Sequence, residues 1–378
     1  MSLTAERFTK VDDIPAIYWA DLHCTQNSYY SPEFLKAFEV GNNDITFHYI
    51  FILKDTTAVA FANTQLVTIG VKTITKNIKI VPWLKRLVNG IFCDNKIRVL
   101  FCGNVFLSGE YGTFLKVGEP KVDTFKAIAS SIDDLVKSIR VNAIFVKDFE
   151  NESLCITDEL KDFDYASMRV EPNMTIGLKP EWHSFDDYKN ALRSKYRVKA
   201  NKADKDSDAL TVKLFNEHDI AEHINALQAL YENTIANADF NAQVLDLNTY
   251  ISLKAQFKER FIIQGYFYEN KLVGFLSAMK NQDNLDAHFI GIDYEQNRDL
   301  AIYPRILNDY VRLGISLKAE RINLGRTASE IKSTLGAQPE ELMCYVKHKY
   351  KLPNSTLKPF IKNVKIKSFR QHRAFKKL

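Results

Sequence analysis

Residues 261–349 restrict the fold more than any other part of this chain. Phe261–Tyr268, Lys271–Lys280 and a run from Leu285 read as three strands joined by turns at Glu269–Asn270 and Asn281–Asn284, an antiparallel meander. In the third run Leu285, Ala287, Phe289 and Gly291 alternate with Asp286, His288, Ile290 and Ile292, the pleat of a two-faced strand. A polar stretch, Asp293 to Asp299, leads into a helix with Pro304 in its first turn, where a missing N–H has no intrahelical partner to lose. Ile306, Leu307, Tyr310 and Val311 give that helix an apolar stripe, and Gly314 is placed to end or bend it. Arg321 to Gly325 reads as a short strand. Thr327 and Glu330 then have capping-box spacing, and the short helix they open stops at Gly336, before Pro339. Glu341 to about His348 is the closing strand. Strand–helix–strand in one sheet requires parallel pairing and a right-handed crossover. The loops leaving strand C-termini then face helix N-termini, where anionic ligands bind.

The same order of elements occurs once before. Ser31, Pro32 and Glu33 open a helix, and Ile45–Leu53 and Thr57–Ile69 read as paired strands. Trp83, Leu84, Leu87 and Val88 suggest an amphipathic helix. Ile97–Cys102 is a strand ending in Gly103; Phe125, Ile128, Ile132, Leu135 and Ile139 mark a helix, and Ala143–Val146 a strand. A short helix near Glu152–Leu160 and a strand near Tyr165–Arg169 follow. This repeats structure, not sequence. Pro172 and Pro180 bracket a joining strand, Met174–Leu178, and Ser184 with Asp187 caps a helix running to about Asp204. That helix has the apolar stripe Phe185, Tyr188, Leu192 and Tyr196, and is otherwise basic. For 378 residues two domains are expected, 1–173 and 174–350, with a tail at 351–378.

Composition, with 46% hydrophobic residues and few Gly or Pro, argues against disorder or a collagen-like chain. The first residues show no secretory apolar region, and apolar runs fall short of a membrane span. Five scattered cysteines without close pairs suit reduced thiols, and a cytoplasmic location is expected. Residues 342–378 hold eleven Lys/Arg and no Asp/Glu, leaving 40 basic against 46 acidic residues elsewhere. A mildly acidic body with a basic end favours an anionic partner there.

Phe185, Tyr188, Leu192, Lys195 and Arg197, then Tyr303, Ile306, Gly314, Leu324–Gly325, Lys332, Gly336 and the closing strand, carry a resemblance to a family. Over about residues 175–350 the chain resembles Fem-type and related tandem-GNAT transferases. The first half is similar in element order and in a CGNxxxxGExG segment, Cys102 to Gly112. The resemblance implies a mixed α/β sheet in two tandem GNAT-like acyl-CoA N-acyltransferase domains. It implies transfer of an acyl group from acetyl-CoA or another acyl-CoA, or of an aminoacyl group from tRNA, to an amine on an anionic or lipid-linked cell-envelope (peptidoglycan) precursor. It also implies a phosphate contact for Lys332. One departure stands out: the loop expected to hold the CoA pyrophosphate, DYEQNRDLAIYP, contains no glycine, and side chains there obstruct close backbone approach.

Amine acylation needs a proton acceptor and a group for the oxyanion. The catalytic candidates are Lys332, Tyr303 as a proton donor and His288 as a base. Arg326, Lys195, Arg197, Asp286, Asp293, Glu110 and Tyr111 are the substrate-binding candidates. Each has a bland alternative: a solvated strand face for Asp286 and His288, a packed ring for Tyr303, a salt bridge for Arg326, an exposed helix face for Lys195, Arg197 and Lys332, and a hairpin turn for the glycines around Glu110. No Walker, GxGxxG, HExxH or GxSxG motif occurs, and the histidines lack metal-ligand spacing. Phe360, Phe369 and Phe375 interleave the tail cations, a pattern for RNA, for an anionic membrane surface touched peripherally, or for a poorly ordered or packed terminal segment. Two rivals to a transferase therefore stand, a binding module that lost its donor site and an RNA-binding protein.

Overall fold

The computed structural model describes residues 3–70, 96–237, 242–362, 366 and 368–376. The expected helix around Trp83–Val88 lies outside them. The chain forms two compact units, Met1–Glu171 with Asp239–Leu245 and Glu341–Ile366, and Pro172–Ala238 with Asp246–Glu340 and Lys367–Leu378. The closing strand therefore groups mainly with the first unit and the end of the tail with the second.

In the first unit β1 (Leu3–Phe8) pairs with β2 (Thr46–Lys54), which pairs with β3 (Thr57–Gly70), which pairs with β4 (Lys96–Cys102), all antiparallel. Helices α1 (Ala16–Leu22) and α2 (Pro32–Gly41) precede β2, and Ser31 caps α2 by accepting the N–H of Phe34. The short β5 (Thr113–Leu115) flanks β3. Helix α3 (Lys121–Ser138) crosses over to β6 (Ala143–Glu150), which pairs with β4 in parallel from Val99↔Ala143 to Cys102↔Val146. Phe125, Ile128, Ile132 and Leu135 of α3 are buried against Ile50, Ala60, Leu100 and Ile144 of the sheet. A short helix α4 (Leu154–Thr157) follows β6, and β7 (Ala166–Gly177) spans Pro172 as one strand where two segments were expected.

The second unit repeats the plan. Helices α5 (Phe185–Ala191) and α6 (Ser194–Asp206), strand β8 (Thr211–Leu214), and helices α7 (Glu217–Ala236) and α8 (Asn248–Phe257) come first. The meander follows as β9 (Phe261–Tyr268), β10 (Lys271–Asn281) and β11 (Asn284–Ile292). Helices α9 (Tyr294–Leu300) and α10 (Ile302–Ser316) cross to β12 (Arg321–Asn323), parallel to β11. Gly314 does not end α10; a Cβ there would lie 2.6 Å from Ile322, so glycine lets helix and strand approach. Helix α11 (Ser329–Ser333) follows in this unit, whereas most of strand β13 (Gln338–His348) and helix α12 (Lys351–Lys362) group with the first. The Thr327–Glu330 capping box is absent: Thr327 and Ala328 both take positive φ, and no side chain caps α11.

The expected helix from Ser184 to Asp204 is broken at Leu192–Arg193, both extended. The chain's own end causes the break. Arg193 N–H donates to Ala374 O, Lys376 N–H to Ala191 O, and Leu192 bridges Phe375. Gln371 and His372 add bonds to Ala337 and Ser333. Phe375 packs on Trp182 and Tyr188, and a Cβ on Gly336 (φ +92°) would sit 2.2 Å from its ring. Residues 369–376 are thus a strap that completes the second unit's core. Phe375→Ala is expected to lower stability by about 2–3 kcal/mol, less than for a fully buried ring, read as a shift in the denaturation midpoint.

Candidate functional site: where β11 parts from β12

The parallel β11–β12 pair is three residues long, ending at Asp286↔Asn323. Beyond it the strands separate. Leu324 N–H donates to Met174 O and Met174 N–H to Gly325 O, so the chain leaving β12 follows β7 while β11 continues to Ile292. Just past the parting point β11 bulges: Leu276 faces Ile290 and Ala278 faces Ala287, which leaves His288 and Phe289 opposite Ser277 alone. Ser277 fixes the bulge, its Oγ donating to Phe289 O (2.8 Å) and accepting Phe289 N–H (3.0 Å), with the Tyr250 hydroxyl 2.8 Å away.

Leu285, Ala287 and Ile290 pack toward α10, whereas the His288 ring lies 5.9 Å from Phe261 and Phe289 packs on Tyr231 of α7. His288 therefore faces the α7–α8 side. The half-buried ring has its pKa lowered to about 4, because desolvation disfavours the charged form. Asp286, buried, precedes it by two residues on the strand, the spacing of a shared face. Tyr303, half-buried in the first turn of α10, packs with the core on the other side, and burial with neighbouring Tyr294 pushes its phenol well above the ordinary range. The sequence-chosen acid and base thus belong to opposite faces of β11, with the parted strands between.

Asp293 caps α9, accepting Glu295 N–H, and receives Lys271. The glycine-free loop is therefore a helix. It bears directly on the start of α10, where Ala301 has positive φ and Asn297 Oδ1 accepts Tyr303 N–H at 2.8 Å. A first-turn donor that could meet a pyrophosphate is taken by the chain itself.

Lys332 is buried, and its Nζ donates to the carbonyls of Leu324 (2.7 Å), Gly325 (3.2 Å) and Arg326 (2.6 Å). These three bonds match an ammonium's three protons. The lysine clamps the segment that carries β12 away from β11, and Arg326, half-buried, contributes its carbonyl to that clamp. Lys332→Met is expected to cost about 1–3 kcal/mol through unpaired carbonyls. An unchanged melting temperature with lost donor affinity would instead give Lys332 a ligand role. Lys195 lies exposed and Arg197 half-buried on α6.

In the first unit Glu110 is held by Glu150 N–H (3.0 Å) and the Ser153 hydroxyl (2.7 Å), and burial raises its pKa above the usual carboxylate range. Tyr111 packs on Tyr29 at 4.4 Å. The glycines here serve close backbone contact: Gly103 donates to Asn63 O and Asn63 to Gly112 O, and a Cβ on Gly112 would lie 3.0 Å from Cys102 O. Sequence reading missed Lys147 and Asp148, which pair at 2.8 Å where β4 and β6 separate. Asp148 is fully buried with φ +69°, and Lys147 also holds the carbonyls of Asn104 and Leu107. Two adjacent charges inside the apolar run of β6 were the available signal. Both units thus brace their parted strands with a buried lysine.

Neither a family model nor a curated protein sequence matches the chain. Solved structures do. A tandem GNAT protein from the clavulanic acid biosynthesis pathway aligns over 93% of this chain and 99% of its own, at TM-score 0.57 and 7% identity. The fold is that of a tandem GNAT protein. FemX aligns over 96% of this chain and 100% of its own, at TM-score 0.55 and 11% identity. L-PGS from Bacillus licheniformis aligns over 94% and 98%, at TM-score 0.51 and 10% identity. The tandem GNAT fold accounts for the repeated plan of a meander feeding one parallel strand pair in each unit. No described helix is long and apolar enough to cross a membrane.

Proposed function

We propose that the chain transfers an acyl or aminoacyl group to an amine, with the reacting carbonyl held where β11 leaves β12. The observation that carries this is the bulged, parted strand with a neutral, enclosed imidazole on one face and a protonated phenol on the other. The amine approaches from the α7–α8 side and gives its proton to His288 as it attacks. Tyr303 supplies a proton to the leaving group from the α10 side. The filled N-terminus of α10 favours an aminoacyl ester over CoA as the donor in this unit. Purified protein is to be incubated with acyl-CoAs and with charged tRNAs beside a panel of amine acceptors, following thiol release and tRNA deacylation. Turnover of one donor class is expected. Absence of turnover together with no saturable thermal stabilisation by any donor leaves a binding module and ends this reading.

A further inference from the structure

The strap brings tail cations beside α6. Arg373 lies between His372, whose ring nitrogen is 3.2 Å from the Tyr196 hydroxyl, and Ala374, whose carbonyl receives Arg193 N–H. Arg193, Lys195 and Lys199 of α6 and its entry are exposed, as are Arg370 and Arg373 of the strap, and none of the five has an acidic partner among the described residues. The acids of α6, Asp204 and Asp206, lie at its C-terminal end, where Asp204 binds Arg312 and Asp206 binds Lys202. The first turn of α6 carries cations and no acid, which opposes the macrodipole, so those cations do not serve the helix's own stability.

We propose that this face docks on a membrane surface rich in anionic phospholipid. Two observations favour lipid over RNA. Phe369 and Phe375, the strap's two phenylalanines of the three in the tail, pack against the second unit's core, so at the strap the face keeps its cations but loses that stacking platform. Val198, 59% exposed, lies on α6 between Lys195 and Lys199, an apolar side chain for the headgroup boundary among charges for the headgroups. The full chain is to be sedimented with vesicles of phosphatidylcholine alone and of phosphatidylcholine with phosphatidylglycerol. Binding only to the anionic vesicles, weakening as salt rises, is expected. Each Lys or Arg near such a surface is worth about fivefold in partitioning, so the triple variant K195Q/K199Q/R373Q is expected to bind about 100-fold more weakly. Its melting temperature reports folding, and V198S, which removes no charge, is expected to weaken binding severalfold. Equal binding to neutral vesicles, an unaffected triple variant, or binding to duplex RNA without vesicle binding overturns the proposal. None of these readouts requires transferase turnover, so the two proposals fail independently.

Discussion

Asp309→Ala is expected to cost about 3–5 kcal/mol of stability, the range found when one partner is removed from a buried charged network. The carboxylate is buried in α10 and accepts from Gln264 Nε2 and the Tyr266 hydroxyl at 2.9 Å each, and from Arg305 Nε at 3.0 Å. Arg312 joins it and continues to Asp204 of α6 at 2.6 Å, its guanidinium lying 4.1 Å from the Phe185 ring. Alanine leaves two guanidiniums, a phenol and an amide without their shared acceptor. Asp309→Asn keeps the shape and one acceptor oxygen, so it is expected to lose less. Thermal and urea denaturation of the two variants checks the order. Equal loss from both would assign the effect to packing.

Local pattern made much of this fold legible. Periodicity located β9, β10, β11 and α10, and Pro304 stood where the first turn of α10 begins, because those features act through neighbours three or four residues away. What failed depended on distant chain. Nothing in residues 184–204 says that their helix must open at Leu192; residues 374–376, almost two hundred positions later, supply the competing hydrogen bonds. Lys332 sat on a short helix and offered a phosphate contact or an exposed face, neither of them its buried clamp, since the carbonyls that enclose it lie in a turn whose course is set by pairing with Met174. The Asp309 network escaped for the same reason: Gln264, Tyr266, Arg305 and Arg312 meet only after β9 packs on α10. Asp286 and His288 were legible as one strand face, but the bulge was not, because it exists only in the register with Ser277.

His288→Gln is expected to reduce turnover by about 10²-fold, the low end for a positioned base because burial weakens this one, with donor affinity little changed. Glutamine keeps polarity and reach but cannot take the amine's proton. The pH dependence separates this role from a structural one. Burial lowers the imidazole to about 4, so it stays neutral well below neutral pH, and kcat/KM, once corrected for protonation of the acceptor amine, is expected to hold its value down to about pH 5 and fall near 4. Folding is linked with the opposite preference, since the unfolded chain protonates this histidine near pH 6.5. The stability it contributes is complete above that pH and is lost progressively as pH falls toward 4, by at most about 3 kcal/mol. His48, also lowered by burial, acts in the same direction and remains in the variant. His288→Gln should therefore flatten, without abolishing, the acid slope of the unfolding free energy. An unchanged slope with unchanged turnover would remove His288 from the site and leave the parted strands to be served by another base.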